Sequence, residues 1–341
     1  MAKRISMEDI AKQLDISRNT VSLALRDMPG INASTKELII NKAKELGYEY
    51  NGSKDESTQQ GKNICVILSK STKNSVGFFN YVQFGIEAEA KKRGYNPIIY
   101  YYDEQGNSFE TPISIQNGII SGIITLGRVS RKNINSIMKY QLPVVMVDHY
   151  FENIKLDYVL TDNVSGAYRA TEYLISRGHK TISFLGNIRA SLSFYDRYEG
   201  YLRALRDNNL EPFKIIDKSM EELSTVDIEL VVRFFKNLKD LPEAMLCCND
   251  AEAIAVTRAL NILNIKVPEE ISIMGFDDIE FARSTSPELT TMRVEKEAMG
   301  KRAVARLAQL IQLIKHENKL DSGFSEKILL ETTLKIRKSV R

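Results

Sequence analysis

Apolar residues first recur at helical spacing between residues 7 and 14, where Ile10, Ala11 and Leu14 fall on one face. A second short amphipathic stretch follows over residues 17–25, with Ser17 as a suitable N-cap and Val21, Ala24 and Leu25 facing inward. The two join at Asp15 and Ile16, and the small Ala11 lets them cross closely and steeply, as a helix-turn-helix requires. A third helix is predicted over residues 33–46, capped by Asn32 and ended by Gly47, with Leu38, Ile39, Lys42 and Ala43 at helical spacing.

Beyond residue 62 the pattern changes. Short β-rich runs at 64–68, 97–102, 119–126 and 143–148 alternate with a helix at 79–93. A second series follows, with strands at 181–186, 244–248 and 271–275 and helices at 168–177, 195–208 and 251–263. A short strand begins near Tyr158, and residues 327–338 alternate as one more strand. Runs this apolar are typical of central parallel strands, so the expected class is α/β: a three-helix headpiece, then a body of two lobes built on parallel sheets. Residues 51–62, NGSKDESTQQGK, contain no large apolar side chain and read as a linker. The expected division is therefore 1–50 headpiece, 51–62 linker and 63–341 ligand-binding and dimerisation body.

Composition narrows the function. A net charge of +3 over 341 residues is too small to argue for nonspecific binding to nucleic acid or membranes. No apolar run reaches the ~18 residues of a membrane span and no signal-peptide core opens the chain, so a cytoplasmic protein without a membrane partner is expected. Cys65, Cys247 and Cys248 lie inside strand-like runs and form no disulfide framework. The adjacent pair has no His or Cys at zinc spacing, so no metal and no cofactor are expected.

On the second helix the outward positions are Arg18, Asn19, Ser22, Leu23 and Arg26. Arg suits guanine, Asn suits adenine, and an exposed Leu23 can meet a thymine methyl. The plainer reading of this face is a three-helix bundle with a polar surface. In the body, ligands of open α/β sheets sit at the carboxyl ends of strands. Asp148 with His149, Asp162 with Asn163, Asn249 with Asp250, and Phe276 with Asp277 and Asp278 occupy those ends, and Arg197 can face the same cleft. Together with the aromatic Phe79 they suit a polyhydroxylated ligand. Asp and Asn at strand ends also serve simply as caps of the next helix, the competing reading for Asp162 and Asn249.

Catalysis is not expected. No Gly-rich phosphate loop and no G-x-S-x-G elbow follows any strand, and consecutive carboxylates at Asp277 and Asp278 point apart. His149, His179 and His316 have no evident catalytic partner, and a capping role suits His179 in the turn RGHK. A cytoplasmic sugar receptor without DNA activity is the alternative that the body alone would permit.

The strings DIAKQLDISRNTVSLALRD and KELGYEYN resemble the headpiece of the lactose-repressor family of bacterial transcription regulators. The body strings TDNVSGAYRATEYLISRGHKTISFLGN, DRYEGYLRAL, CNDAEAIAVTRAL and VPEEISIMGFDDIEFA extend the resemblance over nearly the whole chain. The resemblance implies a body like that of periplasmic sugar-binding proteins, and a regulator, typically a repressor, whose operator affinity is set by a small sugar-like effector between the lobes. It implies DNA contacts from Ser17, Arg18, Asn19, Thr20, Ser22, Leu23, Arg26 and Asn51. It carries effector contact to Arg197, Asn249 and Asp277, with Phe276 and Asp162 as less constant lining positions. It also implies a homodimer on a pseudo-palindromic site. The dimer surface is expected on the helix from Gln83 and near Tyr140 and Ile254, and no heptad tail for tetramers follows residue 338. Two departures stand out. The linker lacks the family's Ala-Arg-x-Leu pattern, and SKSTKNSVGFF replaces the usual Asn-Pro-Phe-Phe after the first strand.

Overall fold

The computed structural model describes residues 5–25, 31–48, 63–70, 72, 77–103, 109–220, 222–223, 227–317 and 325–341. The chain divides into two compact units, Met1–Gly61 and Lys62–Arg341. The linker expected at 51–62, together with Arg26 and Asn51, lies outside the described residues.

The first unit holds three helices, Met7–Leu14, Arg18–Leu25 and Ala33–Glu45. Each begins on a side-chain cap. Ser6 and Asp9 exchange hydrogen bonds in a capping box, Ser17 Oγ accepts the Thr20 N–H at 3.0 Å, and Asn32 Oδ1 accepts the Thr35 N–H at 2.7 Å. Asp15, at φ 51°, ends the first helix in a left-handed turn and frees the second to cross it. Ile10, Ala11, Val21, Ala24, Ile39 and Ala43 form the small core. Leu38 does not join them: it is 55% exposed, one position off the stripe made by Ile39 and Ala43. Leu23 is half-buried rather than exposed.

The second unit is built on two six-stranded sheets. The first contains β1 (Asn63–Ser69), β2 (Asn96–Tyr102), β3 (Gly122–Leu126), β4 (Val144–Val147) and β5 (Asp157–Thr161), with β11 (Lys327–Leu330) added at its edge, in the order β11-β5-β4-β3-β1-β2, all parallel. The second contains β6 (Ile182–Leu185), β7 (Ile215–Ile216), β8 (Ala244–Cys247), β9 (Ser272–Asp277), β10 (Thr290–Arg293) and β12 (Thr333–Lys335), in the order β12-β10-β9-β8-β6-β7, with only β12 antiparallel. The stretch 327–338 is thus two strands. Its alternation breaks at the buried Thr332, and each half completes a different sheet.

The chain passes between lobes three times: after Thr161, after Arg293 and after Leu330. The second passage leads into Lys296–Glu317, a 22-residue helix that returns to the first lobe and packs along Phe79–Lys92. Glycines permit that close approach. A Cβ on Gly85 would lie 2.1 Å from the Glu297 carbonyl oxygen, and one on Gly300 2.1 Å from that of Val82. Central strands are buried on both faces, as in Ile64–Leu68 and Val144–Val147, which accounts for their nearly unbroken apolar sequence.

Candidate ligand cleft and DNA-reading surface

Parallel strands direct their carboxyl ends, and the loops that follow, toward the space between the lobes. Arg197 lies at the centre of the group found there. Its helix, Leu192–Asp207, is capped by Ser191, whose hydroxyl accepts the Phe194 N–H, and this start places Arg197 one turn in. The residue is 2% exposed. Its Nε donates to Asn163 Oδ1 at 2.8 Å and its Nη1 to the Cys248 carbonyl at 2.6 Å. Nη2 pairs with Asp277 Oδ1 at 3.0 Å, and the guanidinium carbon stands 3.9 Å from the centre of the Phe276 ring. One planar cation is thus fixed by two hydrogen-bond acceptors, one ion pair and one aromatic face, which holds its rotamer.

Asp277 ends β9 at φ 113°, and Asp278 follows at φ 51°. Two successive left-handed residues without a glycine are costly, and a buried ammonium stabilises them: Lys296 Nζ donates to the carbonyl oxygens of both. The Asp277 carboxylate turns toward Arg197, while that of Asp278 turns away to Arg337. Asp277 Oδ1 is buried and, despite its ion pair, satisfies no hydrogen-bond geometry. Burial raises the Asp277 carboxyl above the usual carboxylate range, against the lowering effect of Arg197 and Lys296.

The first lobe supplies Asp148, at φ 58° after β4. Burial pushes its carboxyl up to about 7, with Arg197 opposing and Asp277 reinforcing the shift. Ser193 donates to Asp148 Oδ1 at 3.2 Å, Tyr150 OH to Asp196 Oδ1 at 3.1 Å, and Arg128 Nη1 to the Ala190 carbonyl at 3.1 Å. These three hydrogen bonds join the lobes. Burial, helped by Arg128, lowers His149 to about 4, so its ring is neutral near pH 7.

Asp162 and Asn249 both cap helices: Asp162 Oδ1 accepts the Ser165 N–H at 3.2 Å, and Asn249 Oδ1 the Glu252 N–H at 2.8 Å. Each is the sequence neighbour of a group that holds Arg197. Phe79 opens its helix on the first lobe, with its ring against Gly127 and edge-on to Phe78. Sequence reasoning did not assign Ser193, Phe194 or Lys296. The serine and phenylalanine could have been found from their place in the first turn of the Arg197 helix, but nothing marked the lysine. His179 closes its helix through the backbone, its N–H donating to the Leu174 carbonyl, while Nε2 of its buried ring has no hydrogen-bond partner. Among the described residues no group of three or more His, Cys, Asp or Glu could hold a metal ion. No described helix is long and apolar enough to cross a membrane.

In the headpiece, Arg18 and Asn19 are exposed at the start of the second helix, and Thr20, Ser22 and Leu23 are half-buried. The Ser17 hydroxyl is shared between its cap and Thr20 Oγ1, 2.8 Å away. Arg18 Nε pairs with Glu8 Oε1 of the first helix at 2.8 Å.

A helix-turn-helix unit attached to a two-lobed body with a polar cleft defines a class, the ligand-controlled transcription regulators. Residues 171–340 match the periplasmic binding protein-like domain. The ribose operon repressor of Haemophilus influenzae is 28% identical over 340 residues, covering 98% of each chain. The probable HTH-type transcriptional repressor ExuR of Bacillus subtilis is 29% identical over 342 residues, covering 99% of this chain and 98% of its own. Among solved structures, a lac repressor dimer bound to operator and the anti-inducer ONPF superposes with a TM-score of 0.67 at 21% identity, covering 99% of both chains. A CelR–cellobiose complex superposes with a TM-score of 0.67 at 20% identity, covering 98% of this chain and 100% of that one. Over nearly its whole length the chain is thus similar to transcriptional repressors, and it shares the fold of the lac repressor.

Proposed function

We propose that this protein is a cytoplasmic, dimeric repressor that reads a pseudo-palindromic operator and releases or grips it according to a sugar-like ligand held between the lobes. The observation that carries the ligand reading is the Arg197–Asp277 pair laid on the Phe276 ring at the carboxyl ends of the second sheet. A fixed guanidinium, a carboxylate with acceptor capacity left and an aromatic face are complementary to vicinal hydroxyls on a ring with an apolar side. Asn249 contributes its amide N–H groups, its oxygen being occupied by the cap. Asp162 and Phe79 line the flanks.

On the DNA side, Arg18 and Asn19 read base edges from the N-terminal turn of the second helix, and Ser22 and Leu23 extend that contact. Ser17 and Thr20, with hydroxyls already oriented by the cap, face the phosphates, and Arg26 and Asn51 complete the set that the family resemblance implies. Two headpieces in a dimer match two half-sites. Binding between the lobes changes their closure and so the way the headpieces are held.

The test is a melting-temperature screen of the full-length protein against D-ribose, cellobiose, ribose 5-phosphate and hypoxanthine, since a bound ligand raises stability by mass action. A sugar that stabilises the wild type but not Asp277→Ala supports the assignment. Stabilisation by hypoxanthine alone, or by a sugar equally in both proteins, refutes it.

A further inference from the structure

We infer that Glu8 sets the selectivity of the DNA-reading surface by holding Arg18, an inference that rests on the reading of Arg18 as a base-contacting residue. Glu8 lies in the first turn of Met7–Leu14 and Arg18 is the first residue of Arg18–Leu25. Their side chains are 52% and 68% exposed, yet Glu8 Oε1 stands 2.8 Å from Arg18 Nε. The neighbouring Asp9 is committed differently, to the capping box with Ser6. Glu8 thus faces the reading helix instead of its own helix terminus.

An ion pair this exposed adds little to folding, typically below ~1 kcal/mol. Its consequence falls on DNA binding. In a helix-turn-helix the first helix crosses the phosphate backbone, where a carboxylate is repelled. Glu8 offsets that repulsion through the geometry of its partner. Pairing at Nε leaves the far edge of the Arg18 guanidinium, with its terminal N–H groups, to meet guanine O6 and N7. A guanidinium not held in this way can swing to the nearest phosphate and bind any sequence.

Charge acts in the same direction. Residues 1–50 carry eight basic and seven acidic side chains, so the headpiece has almost no electrostatic attraction to spare. Neutralising Glu8 doubles its net charge and frees a cation at the interface. Both changes strengthen binding to arbitrary DNA more than binding to the operator.

The experiment uses the full-length protein. Wild type first enriches binding sites from a randomised 24-base-pair duplex pool, and the affinities of wild type, Glu8→Gln, Arg18→Ala and the double variant are then measured on the enriched duplex and on a scrambled duplex across salt concentrations. We expect Glu8→Gln to bind the scrambled duplex about three- to tenfold more tightly, with a salt slope steeper by about one, and to lose guanine preference at one position of each half-site. We expect no effect of Glu8→Gln in the Arg18→Ala background. Unchanged scrambled-duplex affinity and unchanged base preference in Glu8→Gln would overturn the inference, as would an effect of Glu8→Gln that persists without Arg18. If Arg18→Ala itself leaves every base preference intact, the base-reading assignment of Arg18 fails, and this inference fails with it.

Discussion

Arg197 and Asp277 stand 3.0 Å apart with their side chains 3% and 10% exposed, so each charge is held in the interior largely by the other. Removing one partner leaves the other buried. Asp277→Ala should cost about 3 kcal/mol, near the lower end for a broken buried pair, because Arg197 keeps Asn163 and the Cys248 carbonyl as acceptors. Urea unfolding of the variant measures this cost. A loss under 1 kcal/mol would mean that the pair is solvated in solution.

Asp148 gives the protein a pH dependence of unusual sign. Its carboxyl is pushed from 3.8 to about 7 in the fold. Between those values the unfolded chain has released a proton that the folded chain retains, so stability falls as pH rises through this window and the loss is complete above about 7. Asp148→Asn removes that cost while keeping an acceptor for Ser193. Its melting temperature should exceed that of wild type by about 3–6 °C at pH 8, with the gap closing toward pH 4. A gap independent of pH would show that the carboxyl titrates normally.

Gly300 sits where two helices of the first lobe meet backbone to backbone. A methyl group there would reach 2.1 Å from the Val82 carbonyl oxygen and 2.6 Å from the Ile86 nitrogen, neither of which is a flexible side-chain end. Gly300→Ala should therefore destabilise the protein by about 1–3 kcal/mol, read as a lower denaturation midpoint. A variant as stable as wild type would mean that the helices separate at little cost.

The three cysteines should be silent in the native protein. Cys65, Cys247 and Cys248 are buried, and burial raises the first thiol to about 12 and the other two well above their usual value. A thiolate reagent such as DTNB at pH 8 should label none of them within minutes and all three after guanidinium is added. Rapid labelling of native protein would reveal local opening of the strands that bear them.

Local regularities made much of this architecture legible. The three headpiece helices were readable because the first carries an apolar stripe at Ile10, Ala11 and Leu14 and the other two add caps at Ser17 and Asn32. Central strands announced themselves because both faces are apolar. The helix at Lys296–Glu317 did not, because it begins on a buried lysine whose partners are carbonyls from a different strand, a relation that no local pattern encodes. For the same reason sequence alone left Asp162 and Asn249 open as strand-end ligands or as helix caps; their oxygens do cap helices, and Asn163, one residue on, holds Arg197. Spacing locates a strand end, but only packing decides which of two adjacent side chains turns inward.

The stretch that supplies β11 to one sheet and β12 to the other has a consequence for the integrity of the chain. Loss of residues 327–341 would uncover β5 in the first lobe and β10 in the second together. It would also withdraw Ser339, whose hydroxyl bonds the Ile273 carbonyl, and Val340 from the core. Two open strand edges on one molecule are templates for pairing with other chains. Losing this segment would thus make one molecule a bivalent aggregation seed, and residues 327–340 guard both lobes against that fate.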